Sequence, residues 1–168
     1  MPADKNLNDP IFYSCLQGVG IFKIEGRGSM NNVHLFTEIY EETIKAGHKR
    51  IIVDLANCVG LDSTFMGSLV VLDEKMKKIQ GELLLIQVTE KVRDLLTMLG
   101  VLEIVKIANS LTLPSNLTFE KISNFSISDA ERIKLIHQSH KKLVESNPKN
   151  LAQFGSFLKA LESELNDM

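Results

Sequence analysis

The sequence predicts an α/β fold in which a small, mostly parallel or mixed sheet packs against helices, followed by a C-terminal helical hairpin. Three observations support this fold. Short apolar segments of strand length alternate with longer segments whose apolar residues recur every three or four positions. Capping residues or glycine bound most of the helical segments. Two more helical segments, joined at Asn147-Pro148, follow the last strand segment.

Composition limits the function classes. The 168 residues suit one domain with an appendage, and 44% apolar with 24% charged residues is typical of a globular chain. A net charge of −2, without a long run of either sign, argues against a nucleic-acid partner. We expect a cytoplasmic protein without a membrane partner, because no apolar stretch approaches a membrane span and the N-terminus lacks a signal-peptide core. Cys15 and Cys58 are expected to be reduced core residues.

The first elements are an antiparallel strand pair and a helix. Alternating apolar residues predict strands at Ile11–Leu16 and Val19–Ile24. Residues 26–29, Gly-Arg-Gly-Ser, predict a tight loop. The apolar positions of residues 33–44 recur at helical spacing, and Gly47 ends that helix.

The middle of the chain predicts two alternations of strand and helix. Residues 50–54 form a short β-branched strand, and residues 63–80 form an amphipathic helix. Residues 83–86 are continuously apolar, as in an interior strand. A helix at 92–99 ends at Gly100, and residues 104–107 predict a last strand. Domain 1–108 is therefore expected to contain a largely parallel sheet with right-handed crossovers.

The C-terminal third differs in composition. Residues 109–127 are rich in Asn, Ser and Thr and predict a linker or a surface loop. Ser128 and Glu131 match a capping box, and Asn147-Pro148 begins a second helix, so 128–168 predicts a helical hairpin. Since a lone hairpin cannot bury both of its apolar stripes well, we expect it to dock onto the domain or onto a partner.

Asp62-Ser63-Thr64 joins the strand pattern to the amphipathic helix. Side chains of this type accept hydrogen bonds from the unpaired amides of a helix's first turn. A helix start also tolerates added negative charge. A phosphate on Ser63 is therefore compatible with the fold, although a capping hydroxyl without a regulatory role is the simpler interpretation of the residues alone.

Residues 50–107 resemble the STAS domain of bacterial anti-sigma factor antagonists. In that family a strand ending in Asp-Leu is followed by Asp-Ser-[Ser/Thr]-Gly-x-Gly at a helix start, a Gly-Gly-like turn, a strand, and a helix beginning Ser/Thr-x-x-Val. The matching residues here are Asp54-Leu55, Asp62-Ser63-Thr64-Phe65-Met66-Gly67, Gln80-Gly81, 82–86 and Thr89-Glu90-Lys91-Val92.

The resemblance implies a regulatory protein that is not an enzyme and carries no cofactor or metal. Ser63 would be the phosphoacceptor of a serine-kinase anti-sigma factor, and a metal-dependent serine phosphatase would reverse the modification. Unphosphorylated, the chain would bind that kinase and so regulate transcription. The implied partner surface comprises the Ser63 loop, the following helical turn and the early loop: Asp62, Thr64, Phe65, Gly67, Arg27 and Ser29.

Two departures from the family pattern leave an alternative open. Phe65 and Met66 replace the usual Gly and Leu, and we expect Phe65 on the exposed first turn. The early loop lacks the family's aspartate, and Arg27 could pair with a phosphate on Ser63. The alternative is a scaffold or interaction module with an unmodified serine, which forms homo-oligomers through the hairpin.

Catalytic and metal-binding signals are weak. His137 and His140 are three residues apart, but no third ligand is evident, so surface or partly packed histidines are the favoured interpretation. No Walker-type or Gly-x-Ser-x-Gly motif occurs, and no sequence feature supplies Ser63 with a histidine base. An enzyme or anion-binding protein using the Ser63 helix start is the weakest class.

Overall fold

The computed structural model describes residues 9–123 and 126–168, and it confirms the predicted mixed α/β fold with C-terminal helices. Six strands form the main sheet in the order β7-β6-β4-β2-β1-β8. Strands β2, β4, β6 and β7 are parallel, whereas β1 pairs antiparallel with β2 and β8. The strand bounds are β1 Ile11–Leu16, β2 Val19–Ile24, β3 Gly26–Gly28, β4 Arg50–Asp54, β5 Cys58–Leu61, β6 Glu82–Ile86, β7 Lys106–Ile107 and β8 Glu120–Lys121.

The central strands are buried on both faces, which explains their nearly continuous apolar sequences. Successive side chains of a strand point to opposite faces. In β4, for example, Ile51 and Val53 join the main core, whereas Ile52 joins a smaller cluster on the other face. Partly buried side chains of the segment 108–119 pack against that smaller cluster. The expected linker therefore covers the second face of the sheet.

Within the described residues, five α-helices accompany the sheet, at the places where the sequence shows helical periodicity. They are α1 Val33–Lys45, α2 Ser63–Lys78, α3 Glu90–Met98, α4 Asp129–Ser146 and α5 Leu151–Asn166. Each contributes buried apolar residues to the main core. None of the described helices is long and apolar enough to cross a membrane.

Three local predictions need correction. Residues 26–29 were expected to form only a tight loop, but Gly26–Gly28 is strand β3, parallel to β5. The last predicted strand is shorter than 104–107, since only Lys106–Ile107 pairs with β6. Strand β5, Cys58–Leu61, and strand β8, within the expected linker, were not predicted. Strands of two to four residues are too short to show a clear period in sequence.

The two cysteines have different environments. Cys58 is buried, as expected, but Cys15 is exposed, so the prediction that both are core residues is wrong. Cys15 occupies the next-to-last position of β1, where the side chain leaves the core. Both thiols are free.

The C-terminal hairpin docks on the domain, chiefly along α2. The predicted capping box is confirmed, with reciprocal bonds between Ser128 and Glu131 at the start of α4. Leu143 of α4 is fully buried in the main core, and Lys142 forms an ion pair with Glu74 of α2. The buried amide of Asn150 donates to the carbonyls of Leu99, 3.1 Å away, and Leu143, 2.9 Å away. The hairpin is therefore part of the main core.

Candidate functional site

Helix α2 begins at the predicted residue. Asp62 is its N-cap with an extended backbone (φ −88°, ψ 174°), and its Oδ1 accepts the amide of Phe65 at 2.8 Å. Such a bond satisfies one of the four free amides of a helix start. Ser63 is the first helical residue and is half-buried. The predicted capping role of Asp62 is confirmed.

The structure brings the early loop against this helix start. Oδ2 of Asp62 accepts the amide of Met30 at 2.8 Å. The loop is itself a closed turn, because the amide of Ser29 donates to Oδ1 of Asn32 at 2.9 Å and the amide of Asn31 donates to Oγ of Ser29 at 3.1 Å. Ser29 and the Ser63 loop thus border one surface.

Strands β3 and β5 set the position of both loops. They run in parallel, and both end immediately before these loops. The approach is close at Gly28, where an added Cβ would lie 2.7 Å from Leu61 and 2.9 Å from the ring of Phe65. A larger residue at this position would force Leu61 and the ring of Phe65 to shift, which favours glycine. Arg27, on the same strand, is exposed.

Ser63 contacts a residue that the sequence did not associate with it. Its Oγ lies 2.8 Å from Nε2 of His140 on α4. Nδ1 of the same ring lies 2.8 Å from the carbonyl oxygen of Ile136, which can only accept, so Nδ1 carries the proton. In the neutral ring Nε2 is then the acceptor, and the hydroxyl of Ser63 donates to it.

His140 is held in an apolar site. Only 3% of it is exposed, and the rings of Phe154 and Phe157 on α5 meet it at centroid distances of 4.9 Å, at steep angles. Burial lowers the pKa of His140 below its usual value, with the Ile136 carbonyl and the charge of Asp62 acting in the opposite direction. The neutral ring is therefore the favoured form at neutral pH.

A sequence signal for the burial of His140 exists, but none exists for its partner. His140 is four residues after Ile136 and three before Leu143, so it falls on the apolar stripe of α4. That spacing identifies a packed histidine. It does not indicate that the packed face meets Ser63, 77 residues earlier.

The next residues of α2 lie below the surface. Phe65 is fully buried and stacks on Phe36 with ring centroids 5.1 Å apart, so its expected exposure is wrong. Thr64 is also buried. Gly67 lies under α4, where an added Cβ would be 2.3 Å from the carbonyl oxygen of Ser139. The side chains of Thr64 and Phe65 shape the site from beneath, because a helix that packs on a sheet turns part of its first turn inward.

Helix α4 also reaches the early loop. The guanidinium of Arg132 donates to the carbonyl oxygen of Met30 at 2.7 Å. His137, one turn further along, pairs with Glu162 of α5 at 3.2 Å. Across residues 9–123 and 126–168, no cluster of three or more His, Cys, Asp or Glu could hold a metal ion.

The Ser63–His140 pair has the spacing of a nucleophile and its base. Nδ1 of the ring, however, faces the carbonyl oxygen of Ile136 and not an orienting carboxylate, and the ring itself is buried. The contact therefore suits a structural bond in the docked hairpin better than a catalytic pair.

Comparison with known proteins places this chain in a family. The sequence profile of the family described as STAS domain matches residues 13–113, which ends before α4. Over 102 residues, the chain is 28% identical to BtrV of Bordetella bronchiseptica, which is provisionally assigned as an anti-sigma factor antagonist; the match covers 61% of this chain and 81% of BtrV.

Two solved structures are also similar. An NMR structure of the protein TM1081 has 26% identity and a TM-score of 0.54, covering 58% of this chain and 78% of that one. A crystal structure of the same Thermotoga maritima protein, provisionally assigned as an anti-sigma factor antagonist, has 26% identity and a TM-score of 0.53. The match covers 56% of this chain and 82% of that one. With the mixed sheet and the Asp62-Ser63 helix start, these matches show that the chain belongs to the STAS domain family.

Proposed function

We propose that this chain is a cytoplasmic anti-sigma factor antagonist switched by phosphorylation of Ser63. Unphosphorylated, it binds a serine-kinase anti-sigma factor, and a metal-dependent serine phosphatase restores this form. The observation that carries the proposal is the position of Ser63, directly after the Asp62 cap and beside the loop that Asp62 binds. The assignments of BtrV and TM1081 support it. The chain itself has a binding role and no catalytic one.

The physical basis of the switch is charge at the binding surface. A phosphoserine adds about −1.5 to −2 charge at pH 7. The dipole of α2 would stabilise it by about 0.3–1 kcal/mol, and repulsion from Asp62 would offset part of that. Because both contributions are small, modification should act on partner binding and leave the sheet and its core folded.

The proposed partner surface consists of the groups around the helix start. Asp62, Ser63 and Ser29 border it, and exposed Arg27 lies at its edge. Thr64, Phe65 and Gly67 are buried, so they support this surface from beneath and are not part of its exposed area.

The test is phosphorylation by the native kinase. The full chain is incubated with ATP and a lysate of its own organism, and mass spectrometry locates the phosphate. We expect phosphate on Ser63 and none on the Ser63→Ala variant, while Thr97→Ala, which removes an exposed hydroxyl on α3 outside this surface, stays a substrate. Captured kinase should bind the unmodified chain at least tenfold better than Ser63→Asp. An unlabelled Ser63 together with equal binding would refute the switch.

A scaffold that assembles through its hairpin is the second candidate. It is favoured by the engagement of the Ser63 hydroxyl with His140, and by Leu151 and Phe157 of α5, which are 56% and 43% exposed. Light scattering of the full chain and of a Leu151→Ser, Phe157→Ser variant tests it. A wild-type oligomer that the variant converts to a monomer supports assembly through this face, and a wild-type monomer refutes it.

A further inference from the structure

Helix α4 lies on the surface that the proposed function assigns to the kinase. Two of its side chains reach two different parts of that surface. His140 accepts the Ser63 hydroxyl at 2.8 Å, and Arg132, two turns earlier, donates to the Met30 carbonyl at 2.7 Å. The early loop is thus held between Arg132 on one side and Asp62 on the other, through the carbonyl and the amide of Met30.

The contact between α4 and α2 is close at the middle of α4. At Gly67 the backbones of the two helices meet, since even a methyl group there would overlap the carbonyl of Ser139. Ile136, between Arg132 and His140, is also buried. A kinase must turn the Ser63 oxygen toward the γ-phosphate of ATP, in line with the leaving oxygen. The bond to His140 turns the hydroxyl toward α4 instead.

The two halves of α4 are attached differently. The second half holds Leu143, in the main core, and Lys142, paired with Glu74. The first half, before Ile136, has exposed and half-buried residues only. Its polar link to the early loop is the Arg132 bond. Local opening is drawn from segments with few buried apolar contacts, so the first half is the part that can lift.

We propose that the hairpin is an internal competitor of the kinase: Ser63 becomes accessible only when the first half of α4 lifts from the early loop and the Ser63 hydroxyl turns away from His140, which stays in place. This inference rests on the proposed function for one point, that the partner with which the hairpin competes is a kinase. Shielding of residue 63 by α4, however, is a property of the chain alone. It can therefore be measured without a kinase.

The experiment replaces the hydroxyl by a thiol. Full-length Ser63→Cys, in a Cys15→Ser background, is treated with iodoacetamide, and mass spectrometry follows alkylation at residue 63. Buried Cys58 reports in the same sample whether the domain remains folded. We expect the introduced thiol to react at least tenfold more slowly in the folded chain than in urea.

Variants of α4 then test whether the attachment of this helix controls access to residue 63. Arg132→Ala and Ile136→Ala, each in the same background, should speed alkylation of residue 63 at least threefold while Cys58 stays unreactive. Arg93→Ala, an exposed arginine on α3, is the matched control and should leave the rate unchanged. The mild Arg132 change keeps the test valid if Ile136→Ala unfolds the chain.

Two results would overturn the inference: an introduced thiol that reacts as fast in the folded chain as in urea, or equal rates in the α4 variants and the Arg93 control. A different result would refute the proposed function. If the lysate kinase labels Ser63 in neither the wild type nor Arg132→Ala, phosphorylation of Ser63 is refuted. The alkylation result, that α4 controls access to residue 63, is unaffected. Labelling that is faster in Arg132→Ala than in wild type supports both.

Discussion

The carboxylate of Asp62 accepts two backbone amides from separate parts of the chain, that of Phe65 in its own helix and that of Met30, 32 residues earlier, both at 2.8 Å. One side chain therefore caps α2 and fixes the early loop. This explains how the Ser63 loop and the early loop come to border a single surface.

Replacing Asp62 should destabilise the protein through both bonds. A lost cap costs about 1 kcal/mol, and a lost hydrogen bond to a charged acceptor costs about 1.5–3 kcal/mol. We expect Asp62→Ala to lower the free energy of unfolding by about 2.5–4 kcal/mol, measured by urea denaturation at pH 7.5. Asp94→Ala, at an exposed position of α3, is the control. A difference below about 0.5 kcal/mol between the two would contradict the double role.

Two helical glycines give a matched test of how closely the hairpin packs. An added Cβ at Gly67 would lie 2.3 Å from the Ser139 carbonyl oxygen, whereas one at Gly155 would lie 3.3 Å from a flexible Leu151 methyl. We expect Gly67→Ala to destabilise by about 1–3 kcal/mol through overpacking. Gly155→Ala should be neutral or stabilising by up to about 1 kcal/mol, because alanine favours helix. Thermal unfolding of both variants tests this, and equal melting temperatures would show that α4 does not approach α2 so closely.

The buried histidine predicts a specific pH dependence. Burial lowers the pKa of His140 in the folded chain, so the unfolded chain binds more protons at mildly acidic pH. The stabilisation is complete above the unfolded pKa of about 6.5, and it is lost as the pH falls through the folded pKa. Between pH 7.5 and 5, His140→Gln should therefore lose less stability than wild type in urea denaturation. His137→Gln, at the exposed contact with Glu162, is the control, and a slope equal to that of His140→Gln would contradict the assignment.

Asn150 links the hairpin turn to the domain. Its buried amide donates to the carbonyls of Leu99 and Leu143. Removing this donor costs the Leu99 carbonyl a buried partner, at about 1–3 kcal/mol, whereas the Leu143 carbonyl still accepts the amide of Asn147. We expect Asn150→Ala to destabilise by about 2 kcal/mol and Asn116→Ala, at an exposed position, by less than about 0.5 kcal/mol. Calorimetric unfolding measures both, and a single transition in each would show that hairpin and sheet unfold together.

Most elements of the fold follow from local patterns in the chain. The helices were predicted because apolar spacing and capping residues such as Asp62 and Ser128 act within a few positions of each other. The longer strands were predicted from apolar runs. Strands β3, β5 and β8 were missed since their pairing depends on distant segments. Phe65 was misplaced because the sequence does not show which side of a first turn faces the sheet.

The sequence by itself determined where Ser63 lies, at the capped start of a helix, because capping is a short-range interaction between neighbouring residues. Only the tertiary structure decided what covers it. An apolar stripe such as that of α4 fixes which face of a helix is buried, but burial is non-directional and does not select the helix that it meets. The meeting of His140 with Ser63 therefore follows from how α4 packs along α2, where Gly67 permits a close approach.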